Sequence, residues 1–302
     1  MLMHMTIALV VFLGFLGLCM GSFAGATVWR LRARQLDEDK QANEEVDAAE
    51  YKRLQSLLHK KTTEDRSQCL HCHHVLRWYD LLPLGSWLSL GGKCRYCRKS
   101  IGNFEPLMEI ITAVAFVGSF LLWDFSAAGY FDEVSFGLWL IILVQLIILC
   151  AYDAKWFLLP DRIMWPFIAA SAVFAGLRIA TATDAVGAIY SLAGAVAILS
   201  GIYLILHRVS KGQWIGFGDV KLGLGLAFVL GDWLLAFVAL FLANVLALAV
   251  VLPGMLRGRI GRNSRVPFGP FLIIATVLAL FFGSALTSWY LDLFNMSFTT
   301  LP

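Results

Sequence analysis

Charge is what this chain has least of. Only 15% of its 302 residues are Asp, Glu, Lys or Arg, while 59% are hydrophobic, and mean hydropathy is +0.73. Soluble domains carry about a quarter charged residues, so a soluble globular protein is excluded and a polytopic membrane protein is expected. No Lys, Arg, Asp or Glu precedes Arg30; the basic run Arg30-Leu31-Arg32-Ala33-Arg34 then follows. A secretory leader has the opposite order, positive charge first and a small-residue cleavage site after. The expectation is an uncleaved first transmembrane helix, its N-terminus outside and its basic end inside. Also missing are internal repeats, low-complexity tracts and a glycine-rich nucleotide loop after a strand. The net charge of +3 decides little by itself; no nucleic-acid partner is expected, and the lipid bilayer is the expected one.

What is present is a series of apolar stretches near the roughly 18–20 residues that span a bilayer: 6–29, 104–123, 136–152, 163–182, 185–206, 233–252 and 269–291. A shorter one, 215–231, lies between Arg208 and Lys211 on one side and the Gly231-Asp232 turn on the other. Counting it gives eight spans and places every one of the 24 Lys and Arg residues except Arg178 on the inner side or its boundary, in keeping with the positive-inside rule. The outer loops, 124–133 with Asp184 and Asp232, are acidic instead. The expected fold is an all-α polytopic membrane helix bundle of about eight transmembrane helices with a small cytoplasmic zinc-binding loop domain. Its parts are a first transmembrane helix (1–30), a cytoplasmic loop (31–103) and a transmembrane region (104–302). Within the loop, 35–68 is charged and Ala/Glu/Lys-rich, a solvated helix or linker without chemistry.

The rest of the loop holds Cys69-Leu70-His71-Cys72 and Cys94-Arg95-Tyr96-Cys97. Two such knuckles at this separation form the pattern of a four-thiolate zinc site, structural because its coordination is closed. Disulfides do not suit thiols on the reducing side of a membrane, and a redox pair would leave one knuckle idle. His71, His73 and His74 are alternative ligands by proximity or plain loop residues. Cys19 and Cys150 lie in apolar stretches as packing residues.

Acidic groups at bilayer depth are costly and mark sites. Asp153 ends the run 136–152, and Asp219 stands inside Gly216-Phe217-Gly218-Asp219-Val220-Lys221. Both fall at the inner ends of expected helices. Two carboxyls sharing one proton can split a peptide bond: the ionised one takes a proton from water while the other polarises the carbonyl. Gly216 and Gly218 would let a substrate backbone approach. Asp161, after Pro160, reads as a helix cap or a supporting group. Lys155 and Lys221 read as partners of the aspartates or as anchors to lipid phosphates. Glu105 and Glu109 open the second span, Glu109 the deeper. A transporter or channel with proton-relay aspartates and a regulatory zinc module is the rival reading.

Together these segments resemble the type IV prepilin peptidase family, bifunctional leader peptidases and N-methyltransferases. The resemblance is carried by Gly17-Leu18-Cys19-Met20-Gly21-Ser22-Phe23, by both knuckles with Pro83-Leu84-Gly85-Ser86-Trp87 and Gly92-Lys93-Cys94-Arg95, and by Asn103-Phe104-Glu105-Pro106-Leu107-Met108-Glu109. Asp153-Ala154-Lys155 with Leu159-Pro160-Asp161, then the Gly216–Lys221 segment, then Val266-Pro267-Phe268-Gly269-Pro270-Phe271 continue it in order. Gly25, Arg32 and Leu70 depart from the residues usual there.

The resemblance implies that Asp153 and Asp219 are catalytic, that Cys69, Cys72, Cys94 and Cys97 bind zinc, and that S-adenosylmethionine is the methyl donor, with Gly92 and Lys93 as candidates near it. It further implies prepilin or pseudopilin substrates of type IV pilus or type II secretion systems and a bacterial inner membrane, with the active site facing the cytoplasm.

Overall fold

A computed structural model describes residues 2–58, 66–125, 130–258, 261 and 266–293. Residues 59–65 of the expected insertion, 126–129 of the acidic outer loop, and Arg259, Arg262 and Arg265 of a basic inner loop lie outside the described residues. Among the described residues regular structure is helical, apart from two isolated β-bridges. Seven helices are long and apolar enough to cross a bilayer. Within the eighth expected span, 215–231, lies a separate helix of 14 residues, too short to be counted among the seven. The chain divides into two compact units, Met1–Leu121 and Leu122–Pro302. The second apolar helix therefore groups with the cysteine loop, beyond the division expected at residue 103.

The first unit is built on α1 (Leu2–Gln41), a helix of 40 residues, about 60 Å long. It runs on well past Trp29, where the apolar stretch stops. Residues 30–41 contain no Gly or Pro, and side chains one turn apart pair, Gln35 to Asp39 at 2.7 Å and Gln41 to Asp37 at 2.9 Å. Arg32 holds Glu50 at 2.7 Å, tying α1 to α2 (Ala48–Leu54), whose N-terminus is capped by Asp47. Leu54 buries itself against Ala33 and Leu36. Of the two readings of the insertion, helix or linker, its first part takes the helical one and folds back on α1. Leu54, with Leu57 and Leu58 packed against the same cluster, was the signal. After the short α3 (Gly85–Ser89) comes α4 (Phe104–Leu122). Gly17 and Gly21 let α1 lie directly on α4: a Cβ on Gly21 would stand 2.5 Å from the Glu109 Cα. In lipid, where helices gain no hydrophobic term by associating, such close backbone approach supplies the packing.

In the second unit, α5 (Tyr130–Trp156) is the central helix, with Trp139, Ile142, Leu146 and Leu149 fully buried. Trp123 joins Phe136, Trp139, Phe174 and Phe281 in one aromatic cluster. α6 (Asp161–Thr181) follows, then α7 (Ala185–Val196), which passes through a π-helical turn, Ala197–Gly201, into α8 (Ile202–Val209). The short α9 (Phe217–Leu230) packs on that turn, and Ser200 Oγ donates to the Val220 carbonyl at 3.0 Å. α10 (Trp233–Leu256) and α11 (Gly269–Leu293) complete the unit. Ala236, Ala239 and Ala243 are fully buried on α10, as are Ala275 and Ala279 on α11, the small-residue seams expected between membrane helices.

Candidate functional site

Asp153 lies in the last turn of α5, before Phe157 turns into the left-handed region at φ 58° and ends the helix. Its carboxyl is buried, and Oδ2 has no hydrogen-bond partner among the described residues. Asp219 lies in the first turn of α9, half-buried. A Cβ built on Gly269 would meet both Asp153 Oδ2, at 2.5 Å, and Leu222 Cδ2 of α9, at 3.5 Å, so Asp153 lies close to the helix that carries Asp219. The two aspartates sit at opposite kinds of helix end. Asp219 belongs to the N–H end of α9 and Asp153 to the carbonyl end of α5, the positive and negative ends of their helices.

Gly269 completes the surroundings. It begins α11, and a Cβ built on it would stand 2.5 Å from Asp153 Oδ2. Its N–H lies beside the same carboxyl. Sequence reasoning gave this glycine no role; Gly269-Pro270 at the head of a helix was the available signal. Gly216 is exposed and Gly218 half-buried, so the backbone next to Asp219 is accessible.

Asp161 is the first residue of α6, and Pro160 holds the N-cap position. The capping alternative is therefore replaced by an ion pair: Lys221 Nζ lies 2.6 Å from Asp161 Oδ1. Lys221 also rests over the rings of Trp165 and Phe217. Lys155 lies over the Trp156 ring at 5.4 Å.

In the first unit, Cys69, Cys72, Cys94 and Cys97 place their four sulfurs within 4.8 Å of one another. Cys69 and Cys97 Sγ are 3.9 Å apart. A tetrahedral thiolate site with metal–sulfur bonds near 2.3 Å needs sulfurs about 3.8 Å apart, so these four can hold one metal ion. The two knuckles have the same backbone. Cys69 N–H bonds to the His74 carbonyl and Cys94 N–H to Lys99, while His73 and Arg98 bond back to the two leading cysteines. His73 and Arg98 have positive φ, 57° and 58°. A β-bridge closes each, Gln68 with Val75 and Lys93 with Ser100. The histidines do other work: His73 Nδ1 meets Ser56 Oγ at 2.9 Å, and His74 packs on the Tyr96 ring at 3.6 Å. Burial pushes the Cys69 thiol up to about 12. Gly92, at φ 69°, seats the Trp87 ring.

Comparison with known proteins bears on both units. A family model described as "Bacterial Peptidase A24 N-terminal domain" matches residues 15–123, and one described as "Type IV leader peptidase family" matches residues 140–252. A prepilin leader peptidase/N-methyltransferase of Dichelobacter nodosus is 30% identical over 90% of this chain and 91% of its own length. The protein of the same description from Stutzerimonas stutzeri is 30% identical over 92% of each chain. That from Pseudomonas aeruginosa is 28% identical over 92% of this chain and 91% of its own. No solved structure matches. With both aspartates inside the second matched region and the four cysteines inside the first, the chain belongs to the type IV leader peptidase family.

Proposed function

We propose that this protein is a membrane aspartic endopeptidase that removes the leader of type IV prepilins or pseudopilins, and that it then N-methylates the new amino terminus. The observation that carries the peptidase reading is the buried Asp153 Oδ2, without a partner among the described residues and close to the helix that carries Asp219. Asp219, beside the N–H groups at the start of α9, is the member that carries negative charge and takes a proton from the attacking water. Asp153 carries the shared proton and donates it toward the scissile carbonyl. The peptide's backbone enters past Gly216 and Gly218. Lys221 and Asp161 act indirectly, by joining the start of α9 to the start of α6.

The placement of Lys and Arg supports a site facing the cytoplasm, and the family match supports a bacterial inner membrane. The metal held by Cys69, Cys72, Cys94 and Cys97 is zinc, the ion suited to four thiolates in a closed tetrahedron, and it acts by folding its loop. S-adenosylmethionine supplies the methyl group.

The test is cleavage of a model prepilin by the purified protein in detergent. Asp153→Asn and Asp219→Asn should each lose about 10²–10⁴-fold in rate while inserting and purifying like wild type. Full cleavage by either variant would remove the acid pair from the mechanism.

A further inference from the structure

The cysteine loop dips back to the membrane before α4 begins. α4 has 19 residues, about 28 Å, and the hydrocarbon core is about 30 Å thick, so α4 needs its whole length to cross. Phe104 therefore stands at the inner edge of the hydrocarbon, and Glu109 lies about 7 Å inside it. Two tryptophans mark the same edge. Trp29, at the end of the apolar part of α1, donates its indole N–H to Glu105 at 3.0 Å, and Trp87 donates its own to the Gly102 carbonyl at 2.9 Å. Tryptophan collects at this level in membrane proteins. Leu84 lies deeper, for its N–H donates to Glu109 Oε2 at 2.8 Å. It does so from a backbone at φ 55° and ψ −40°, a strained conformation that persists only where surrounding structure enforces it. The depth of Leu84 is thus set by the fold.

Residues 81–90 suit that depth in two ways. Their backbone is satisfied from within: Pro83 has no N–H to place, and the N–H groups of Leu84, Ser86, Leu88 and Leu90 donate to protein oxygens, as hydrocarbon requires. Their leucines are not used by the protein core: Leu81, Leu82 and Leu88 are exposed, Leu88 by 67%. This apolar surface continues the outward face of α4, where Leu107 and Ile110 are exposed as well. The rest of the loop is basic. Arg66, Arg77, Lys93, Arg95, Arg98 and Lys99 are exposed, and Asp80 is the only acidic residue of 66–103. Asp80 is itself paired with Arg95 at 2.8 Å. A divalent ion on four thiolates would leave the loop basic still.

We propose that residues 78–90 form an interfacial membrane element that docks the cysteine loop on anionic lipid. Leu81, Leu82 and Leu88 enter the acyl region beside α4, at the depth of about 5–10 Å that surface-lying elements reach. The exposed Arg and Lys residues of the loop lie against lipid phosphates. Lipid is the occupant because the exposed leucines sit at the depth of acyl chains and the charge around them complements an anionic leaflet.

The experiment reconstitutes the full-length protein into nanodiscs of phosphatidylcholine, with or without phosphatidylglycerol. Each contains a tracer phosphatidylcholine that carries a diazirine on its acyl chain, and labelled peptides are mapped by mass spectrometry after irradiation. In wild type, which raises no question of folding, label should fall on residues 81–90 as well as on α1 and α4. Label on α1 and α4 with none on 81–90 overturns the proposal and turns that surface toward a protein partner. Leu88→Glu should cut the label on 81–90 severalfold while keeping the melting temperature of wild type; undiminished label also overturns it. Amide exchange of residues 93–100 should slow when phosphatidylglycerol is present, and Arg98→Gln combined with Lys99→Gln should remove that slowing. Exchange indifferent to phosphatidylglycerol in wild type overturns the preference for anionic lipid.

Discussion

Arg178 Nη1 donates to the carbonyl of Leu230 at 2.9 Å and to that of Val229 at 3.2 Å. These are end carbonyls of α9, where the helix has no N–H left to offer them. At the other end of the same helix Lys221 reaches Asp161. Both partners belong to α6, so one helix brackets the short helix that carries Asp219. The only basic residue expected on the outer side therefore has a structural use. Arg178→Met should strip these carbonyls of their donor, cost about 1–3 kcal/mol, and lower the melting temperature of the purified protein. Cleavage should fall because Asp219 loses its fixed depth, and Arg178→Lys should recover part of it. Equal melting of wild type and Arg178→Met would show that the bracket is idle.

The Lys221–Asp161 pair should matter less for stability. Asp161 is more than half exposed, and such pairs contribute under about 1 kcal/mol. Asp161→Asn should therefore keep its fold and most of its cleavage rate, in contrast with Asp153→Asn. A loss as deep as that of Asp153→Asn would promote Asp161 into the chemistry.

Gly269→Ala tests the pocket around Asp153. The added methyl would meet Oδ2 at 2.5 Å, which forces the carboxyl or the start of α11 to move. A displacement on the scale of an ångström costs about 10²-fold in rate. The expected outcome is a fall in kcat for prepilin cleavage with little change in KM. An unaffected kcat would mean that Asp153 does not act from the position described.

Metal removal should act on the first unit. Thiolates bind metal and protons compete with it, so affinity falls as pH falls. With its thiol pushed up to about 12 by burial, Cys69 holds its proton at neutral pH when no metal is bound. Loading must displace that proton, and titration with zinc in weak buffer should record its release. Cys94→Ser should lose the metal, and residues 66–103 should become sensitive to protease. Full metal content in Cys94→Ser, measured by atomic absorption, would contradict the four-sulfur site.

The sequence made the two chemical centres legible because each depends on residues that are costly where they stand. A carboxylate at the end of a long apolar run and four cysteines in paired knuckles have few bland explanations. It was less informative about α1, since hydropathy falls at Arg30 while helical propensity does not. The same bias hid the α2 hairpin: Leu54 is one apolar residue in a charged stretch, too little for a periodic signal. The role of Gly269 was hard to read for a different reason, although the residue lies in a segment that carries the resemblance. What matters there is the side chain that is absent, and only the position of Asp153 reveals why.

At 14 residues, α9 rises about 21 Å, some nine ångströms less than the usual hydrocarbon thickness. Protein rather than lipid covers most of it: Leu222, Leu226, Ala227, Val229 and Leu230 are fully buried. A helix too short to span by itself is held in place by its longer neighbours, and its first turn, where Gly216 is exposed, leaves the backbone beside Asp219 open to water.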